Sequence, residues 1–251
     1  MPPDILEWAD RALEFDNSKA AQRENELFQI IGRLCTLRSI VHTSRDGSLT
    51  DPTVLTLAKD IDTDLTGFAN AFPDWLGYTT VPCKISDNVL LDYYHVYPNS
   101  WVVGGYNLYR SARIMTNELI LNWLSQNPSY ENVDSRRRES EIVLTRLNAD
   151  VCASVPFILG DVEPVGGFKP LPRAAGGMAL VWPLYLAATM DTASQSTRAW
   201  VITRLDKLGH VAGIQQAVTL ANVLKTRRHI TAWDRFENTR MDEELKDWKD
   251  V

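Results

Sequence analysis

The sequence predicts an all-α fold, a single-domain bundle of roughly eight or nine helices over residues 1–251. Three observations support this prediction. Apolar residues recur every three or four positions along most of the chain, as amphipathic helices require. Proline and glycine cluster between these periodic segments, where they end helices. No credible alternating strand is longer than GYTTV, residues 77–81.

The first two helices are predicted from periodicity and from a cap. Apolar positions step by three and four from Leu27 to Val41, which indicates one buried stripe. A second helix is expected to begin at Asp51 and Pro52, with the aspartate as cap and the proline in the first turn. Residues 73–100 are rich in proline and aromatic side chains, so an irregular connection is expected there.

A long central helix is expected from Trp101 to about Gln126, with Asn99 or Ser100 as its cap. Periodicity assigns a core-facing row to this helix. The predicted row consists of Leu108, Ala112, Met115 and Leu119.

The second half of the chain continues the helical pattern. Asp134 or Ser135 is expected to open a helix that ends near Ser154. Residues 160–177 are rich in glycine and proline and are expected to form a loop. Further helices are predicted over 178–190, 197–209, 214–228 and 234–249.

Composition argues against several classes of partner. The net charge is -6 and the basic residues are scattered apart from two short runs, which disfavours nucleic-acid binding. Three cysteines without CxxC spacing indicate reduced thiols. The start, MPPDILEWADRALEF, is not a signal peptide, and no apolar run approaches the ~20 residues of a membrane span. We expect a complete, soluble, cytoplasmic protein that contacts neither nucleic acid nor membrane.

Motifs for nucleotides, metals and activated nucleophiles are missing, including GxGxxG, GxxxxGK[ST], GxSxG and HExxH. The histidines are isolated, so neither a metal nor a cofactor is expected. Cys152 has apolar neighbours on both sides and is expected to be buried rather than catalytic. Asp60 and Asp64 share one helix face with Asp62 nearby, but these carboxylates flank an apolar stripe and are expected to be solvated rather than to bind a metal diphosphate.

Aromatic and polar residues are unusually dense in one segment. If Arg110 in this segment is buried or half-buried, it needs a partner, because an unpaired buried charge costs several kcal/mol. That partner is either a carboxylate or a helix-end carbonyl, which is a structural role, or a ligand. The segment contains Tyr93, Tyr94, His95, Tyr97, Trp101, Tyr106, Asn107, Tyr109, Arg110 and Arg113.

A second aromatic segment is GGMALVWPLYLAATMD, residues 176–191. Pro183 removes one helical hydrogen bond and is expected to bend the helix. Trp182 and Tyr185 are then expected to help to line an apolar hollow shared with residues 93–113. The alternative is that these rings only fill the core, although a buried tyrosine hydroxyl needs a hydrogen-bond partner.

Four segments in this order and spacing resemble the fungal-specific transcription factor domain: NLYRSARIMTNELILNWL, ADVCASVPFILGD, GGMALVWPLYLAATMD and RAWVITRLDKLGHVAGIQQAVTLANVL. With RLCTLRSIV and FPDWLGYTTV, the likeness covers roughly residues 25–228. The resemblance implies an all-α domain that senses small molecules or mediates regulation. The six-cysteine zinc cluster that usually precedes this domain is not in the sequence, so sequence-specific DNA binding is not expected.

A stand-alone copy of this domain is also similar to cofactor-free hetero-Diels-Alderases of fungal secondary metabolism, which join a tropolone-derived quinone methide to a humulene-type sesquiterpene. This resemblance implies a pericyclase. Arg110 and Tyr109 would then donate hydrogen bonds to the quinone methide carbonyl, and His95 or Tyr94 would assist proton transfer. The substrates would be bound by Tyr97, Trp101, Tyr106, Asn107, Arg113, Trp182 and Tyr185.

Two other interpretations stay open. In the first, the protein is a non-enzymatic module, derived from a transcription regulator, that binds an apolar or aromatic small molecule without turnover and could act as a homodimer. In the second, it is purely structural and all the aromatic residues are core.

Overall fold

The structure, a computed structural model, describes residues 19–43, 49–71, 77–98, 100–162 and 173–226. Within these ranges the chain forms seven helices and one two-stranded sheet, so the predicted all-α class is confirmed. The predicted helix over 234–249 lies outside the described residues, as does Asn99. The elements are α1 (Lys19–Thr43), α2 (Pro52–Asn70), β1 (Thr79–Pro82), β2 (Tyr93–Val96), α3 (Ser100–Gln126), α4 (Val133–Leu159), α5 (Arg173–Thr189), α6 (Gln195–Ala212) and α7 (Gln215–Lys225).

Helix α2 begins as the sequence predicts. The Asp51 side chain accepts a hydrogen bond from the Thr53 backbone amide at 2.8 Å, and Pro52 lies in the first turn. This bond satisfies one of the amide groups that a helix start leaves without a partner. The apolar stripe of α2 is buried throughout and consists of Val54, Leu55, Ala58, Ile61, Leu65 and Phe68.

The prediction of an irregular connection over residues 73–100 was wrong in part, because residues 79–96 contain an antiparallel hairpin. Thr79 pairs with Val96 and Pro82 pairs with Tyr93. Strand β1 is largely exposed, whereas β2 buries two side chains and packs against α4. Neither strand is long or strictly alternating, so the periodicity that predicts strands was weak. Packing on α4 stabilises a hairpin that the local sequence does not specify.

The predicted core row of α3 was wrong at Leu108. This residue is 38 % exposed, whereas Tyr106, Asn107 and Arg110 on the opposite arc are all buried. Helix α3 contacts α1, α2, α4 and α5. A helix surrounded by neighbours buries most of its circumference, so a single apolar row does not describe it.

Two predicted boundaries in the second half need correction. Helix α4 continues past Ser154 and through Pro156 to Leu159, and Gly160 closes it with a positive φ of 65°. Helix α5 begins at Arg173, inside the predicted loop, of which residues 163–172 lie outside the described part. The whole run 151–159 is buried. Burial of this apolar surface outweighs the one hydrogen bond that Pro156 removes.

Helix α4 is long and apolar enough to cross a membrane by length and composition, which the sequence reasoning did not foresee. Of its most apolar window, 61 % is buried inside the protein. A buried core helix passes the same test, so this is weak evidence for a membrane span.

The apolar core consists of two clusters. The first joins α1 and α2 to the middle and end of α3, the middle of α4 and the end of α5. The second joins the start of α3 and the end of α4 to α5, α6 and α7. Asn107 lies between Tyr106 of the second cluster and Tyr109 of the first, and Arg110 directly follows Tyr109.

Candidate functional site

Arg110 lies within α3 with only 1 % of its surface exposed. Its Nη1 donates hydrogen bonds to the Tyr97 hydroxyl at 2.8 Å and to Asn107 Oδ1 at 2.9 Å. The guanidinium carbon lies 5.3 Å from the ring centroids of Tyr78 and Tyr106 and 5.8 Å from that of Tyr97. Within the described part of the chain, its Nη2 has no hydrogen-bond partner. Arg110 is therefore enclosed by tyrosine rings rather than paired with the carboxylate or helix-end carbonyl that a structural role was expected to require.

The surroundings of Arg110 shift the titration of its neighbours. Burial, assisted by the Arg110 charge, lowers the pKa of His95 to about 3. Burial raises the pKa of Tyr106 to about 12. It also raises the pKa of Tyr97 far above its ordinary value, although Arg110 opposes the shift. At neutral pH His95 is therefore uncharged and both hydroxyls keep their protons.

Asn107 extends this network from α3 to α4. Its Nδ2 donates to the Ser154 hydroxyl at 3.0 Å, and Ser154 in turn donates to the Val151 carbonyl at 2.7 Å. Buried amide and hydroxyl groups of this kind fix the spacing of the helices that they join, because an unmade bond would leave a costly unsatisfied group.

Two more predicted site residues, Tyr109 and Arg113, belong to a different network. Arg113 Nε binds Asp62 Oδ1 at 2.9 Å, and Arg113 Nη1 donates to the Tyr109 hydroxyl at 3.0 Å. Asn117 also donates to Asp62, at 2.7 Å. The carboxylate of Asp62 thus joins α2 to α3 instead of being solvated as expected. Asp60 and Asp64 are exposed as predicted, and Asp64 forms an ion pair with Arg33.

The described residues contain no group of three or more histidine, cysteine or carboxylate side chains that could hold a metal ion. Cys152 is 1 % exposed, as predicted, and burial raises the pKa of its thiol to about 12. A thiol in this state forms little thiolate at neutral pH, so it is a poor nucleophile.

The two aromatic segments pack together. Tyr97 and Tyr106 belong to the same buried cluster as Leu184 and Tyr185. Trp182, 37 % exposed, stacks on Tyr185 with ring centroids 5.7 Å apart. Tyr94 lies beside His95 on β2, where its backbone pairs with Val81.

Among the clefts on the described part of the molecule are three, and the described residues that line each of them come from at most one of the two aromatic segments. One of about 420 Å³ lies beside Tyr93 and the charged residues Arg138, Glu141, Arg146 and Asp150 of α4. A small one of about 30 Å³ lies beside Arg204. The third, of about 260 Å³, is mostly apolar and lies between α1, α2 and α3.

We call this third space the α3 cleft. It is lined by Arg23, Glu24, Leu27, Phe68, Trp101, Val102, Gly104, Gly105 and Leu108. The sequence prediction placed Trp101 at a binding site but missed the other lining residues. The spacing of Trp101, Gly104, Gly105 and Leu108, at i, i+3, i+4 and i+7, was the signal that could have found them, because such positions share one helix face.

Comparison of the chain with protein-family models, curated proteins and solved structures finds no match. The likeness to the fungal transcription factor domain therefore stays a prediction made from the sequence, and function has to be argued from the geometry of the site.

Proposed function

We propose that this protein binds a small apolar molecule in the α3 cleft and acts as a non-enzymatic ligand-binding or regulatory module. The observation that carries the proposal is the cleft itself, about 260 Å³ of mostly apolar space. Pockets for small ligands are typically concave and apolar with a few polar groups. Their usual volume begins near 300 Å³, so this cleft suits a molecule of one or two rings.

Two apolar side chains at the rim of the cleft are partly exposed in the described part of the chain. Trp101 is 40 % exposed and Leu108 is 38 % exposed. Leaving apolar surface in water costs about 25 cal/mol per Å² relative to burial. A bound apolar molecule would cover part of both side chains, and this burial would be the main source of its affinity.

The positions of the predicted catalytic residues favour binding over catalysis. Arg110 and His95 are 1 % and 2 % exposed, and neither lines the α3 cleft. Tyr109 already accepts a hydrogen bond from Arg113. A substrate in the cleft would therefore meet none of the groups assigned to charge stabilisation or proton transfer.

Binding is tested with N-phenyl-1-naphthylamine, an uncharged probe in which a flat two-ring naphthalene carries a phenylamino group, and whose fluorescence rises in apolar sites. We expect saturable binding by the natural protein and at least about tenfold weaker binding by Trp101→Ala, because a large aromatic contact is lost. Trp182→Ala is the matched control, since Trp182 has similar exposure, 37 %, and does not line the cleft. Equal loss in both variants, or no binding by the natural protein, would contradict the proposal.

The cycloaddition that the sequence resemblance implies is a narrower proposal and has its own test. Holding two reactants in a reactive orientation can accelerate a reaction without a nucleophile or metal. The protein would be incubated with a hydroxymethyl tropolone and humulene, and the adducts compared with those formed without protein. An unchanged product ratio and stereochemistry would leave ligand binding as the function and remove catalysis.

A further inference from the structure

The face of α3 that lines the cleft has an unusual order of side-chain sizes. Trp101 and Leu108 stand about two turns apart, roughly 10 Å along the helix axis. Between them, on the same face, are Gly104 and Gly105. The face therefore has two large apolar side chains with bare backbone between them, which forms a notch about one turn wide.

No packing in the described part of the protein requires glycine at these two positions. A Cβ atom built on Gly104 or Gly105 would meet nothing within 4 Å, and neither residue has a positive φ. By contrast, a Cβ on Gly209 in α6 would overlap the side chain of Val218. Glycine inside a helix is less favourable than alanine, so the pair at 104 and 105 weakens α3 with no gain in packing.

We infer that Gly104 and Gly105 form the floor of the α3 cleft and determine the size of the molecule that it accepts, a flat ring system that lies against the helix backbone. The inference rests on the proposed binding function and adds the residues that set its specificity. A side chain at either position would occupy the space between Trp101 and Leu108.

The lining also indicates that the ligand is uncharged. The two charged residues at the cleft, Arg23 and Glu24, have opposite signs. The Arg23 guanidinium donates to Glu26 at 2.7 Å and to the Ala71 carbonyl at 3.1 Å, so its charge is already compensated. Glu24 is exposed to solvent, so its charge is hydrated, and a charged ligand would lose hydration without gaining a buried ion pair.

The test uses two substitutions on the floor and matched substitutions elsewhere. Gly105→Ala and Gly105→Leu fill the notch in two steps. Gly32→Ala and Gly32→Leu on α1 are the controls, because Gly32 is also helical, a Cβ atom added to it would also meet nothing within 4 Å, and it does not line the cleft. Binding of N-phenyl-1-naphthylamine, thermal unfolding and oligomeric state are measured for all four full-length variants and the natural chain.

We expect Gly105→Ala to bind the probe about tenfold more weakly, the usual effect of one methyl group on an apolar pocket, and Gly105→Leu to show no binding. Both should unfold at or above the natural melting temperature, which separates a filled cleft from a damaged fold. The Gly32 variants should bind like the natural protein.

Natural affinity in both Gly105 variants would overturn the inference and leave the proposed binding function intact. If the natural chain does not bind the probe, both the inference and the proposed binding function are wrong. If, in addition, the natural chain is a dimer and only Gly105→Leu breaks that dimer, the notch binds a second copy of the chain instead.

Discussion

Two arginines, Arg110 in α3 and Arg204 in α6, are both almost fully buried, at 1 % and 2 % exposed, but their charges are stabilised differently. Arg204 binds the Asp161 carboxylate at 3.2 Å, the Asp87 carbonyl at 2.7 Å and Asn88 Oδ1 at 2.8 Å. Arg110 binds a hydroxyl and an amide oxygen and lies among tyrosine rings. Arg204 also lies 5.2 Å from the Trp200 ring centroid, so the two arginines differ in the directly bound carboxylate and not in the presence of an aromatic ring.

The comparison shows how the hairpin is held to the helices. Arg204 holds the loop between the strands through Asp87 and Asn88, while Arg110 holds Tyr97, directly after β2. Burial lowers the pKa of Arg204 in spite of Asp161. Burial also disfavours the Arg110 charge. The neighbouring groups, of which Tyr97 has the largest effect, outweigh burial and raise the pKa of Arg110. Loss of the first contact would strand a directly bound carboxylate, whereas loss of the second would remove an electrostatic interaction with Asp150, which forms no salt bridge with Arg110.

Arg204→Ala should have the largest effect on stability. It would leave the Asp161 side chain, only 8 % exposed, without its counter-charge, and breaking a buried pair on one side costs about 3–5 kcal/mol. Urea denaturation measures the loss. Lys207→Ala is the control, because Lys207 makes one long, exposed contact to the same Asn88 at 3.5 Å. A loss below about 1 kcal/mol would mean that solvent reaches Asp161 and that the ionic contact is not a buried one.

Arg110→Met should cost less, about 1–3 kcal/mol, because two neutral acceptors lose a donor, while Asp150, whose charged form Arg110 favours, is not bound to it in a salt bridge. Methionine keeps much of the volume and can pack against the tyrosine rings. The same denaturation experiment on Arg204→Met provides the direct comparison. If Arg110→Met were the more damaging of the two, the aromatic cage would be the stronger attachment and the ranking of the two arginines would be reversed.

Acid should weaken the aromatic attachment through His95. Its pKa is about 3 in the folded protein and about 6.5 when unfolded. The unfolded chain therefore binds more protons between these values, and stability is lost as the pH falls from 6.5 towards 3. Between pH 7 and pH 4.5, this difference in pKa lowers the free energy of unfolding by about 2–3 kcal/mol. His95→Phe should flatten that part of the stability profile between pH 7 and 4.5, whereas an unchanged slope would show that His95 titrates normally.

Tyr97→Phe should have the smallest effect. It removes the hydroxyl that accepts from Arg110 at 2.8 Å and contacts His95 Nδ1 at 3.4 Å, but keeps the ring. A hydrogen bond to a charged group contributes about 1.5–3 kcal/mol. Because Arg110 keeps its contacts with Asn107 and with the tyrosine rings, we expect the loss of unfolding free energy, measured by urea denaturation, to lie near the lower end of this range. Tyr130→Phe, on a ring that lies elsewhere against Trp123, serves as the control and should be near neutral.

Local signals in the sequence predicted most of the helices. The Asp51 cap and the apolar stripe of α2 are confirmed because a capping side chain and a 3.6-residue period act within a few residues of each other. The prediction for α3 failed at Leu108 because periodicity identifies one favoured face and does not show how many neighbours surround a helix. The hairpin was missed because β2 depends on α4, which is distant in the sequence.

The features of the candidate site also fall into those that the local sequence predicts and those that depend on the tertiary structure. By itself the sequence determined that the chain is helical, that Cys152 is buried and that residues 93–113 contain a dense group of aromatic and polar side chains. Only the tertiary structure decided that Arg110 is enclosed by tyrosines, that Arg113 pairs with Asp62, and that an apolar cleft opens between α1, α2 and α3. Helix formation depends on neighbouring residues, whereas the partners of a buried charge and the walls of a cleft come from segments that meet only after the chain has folded.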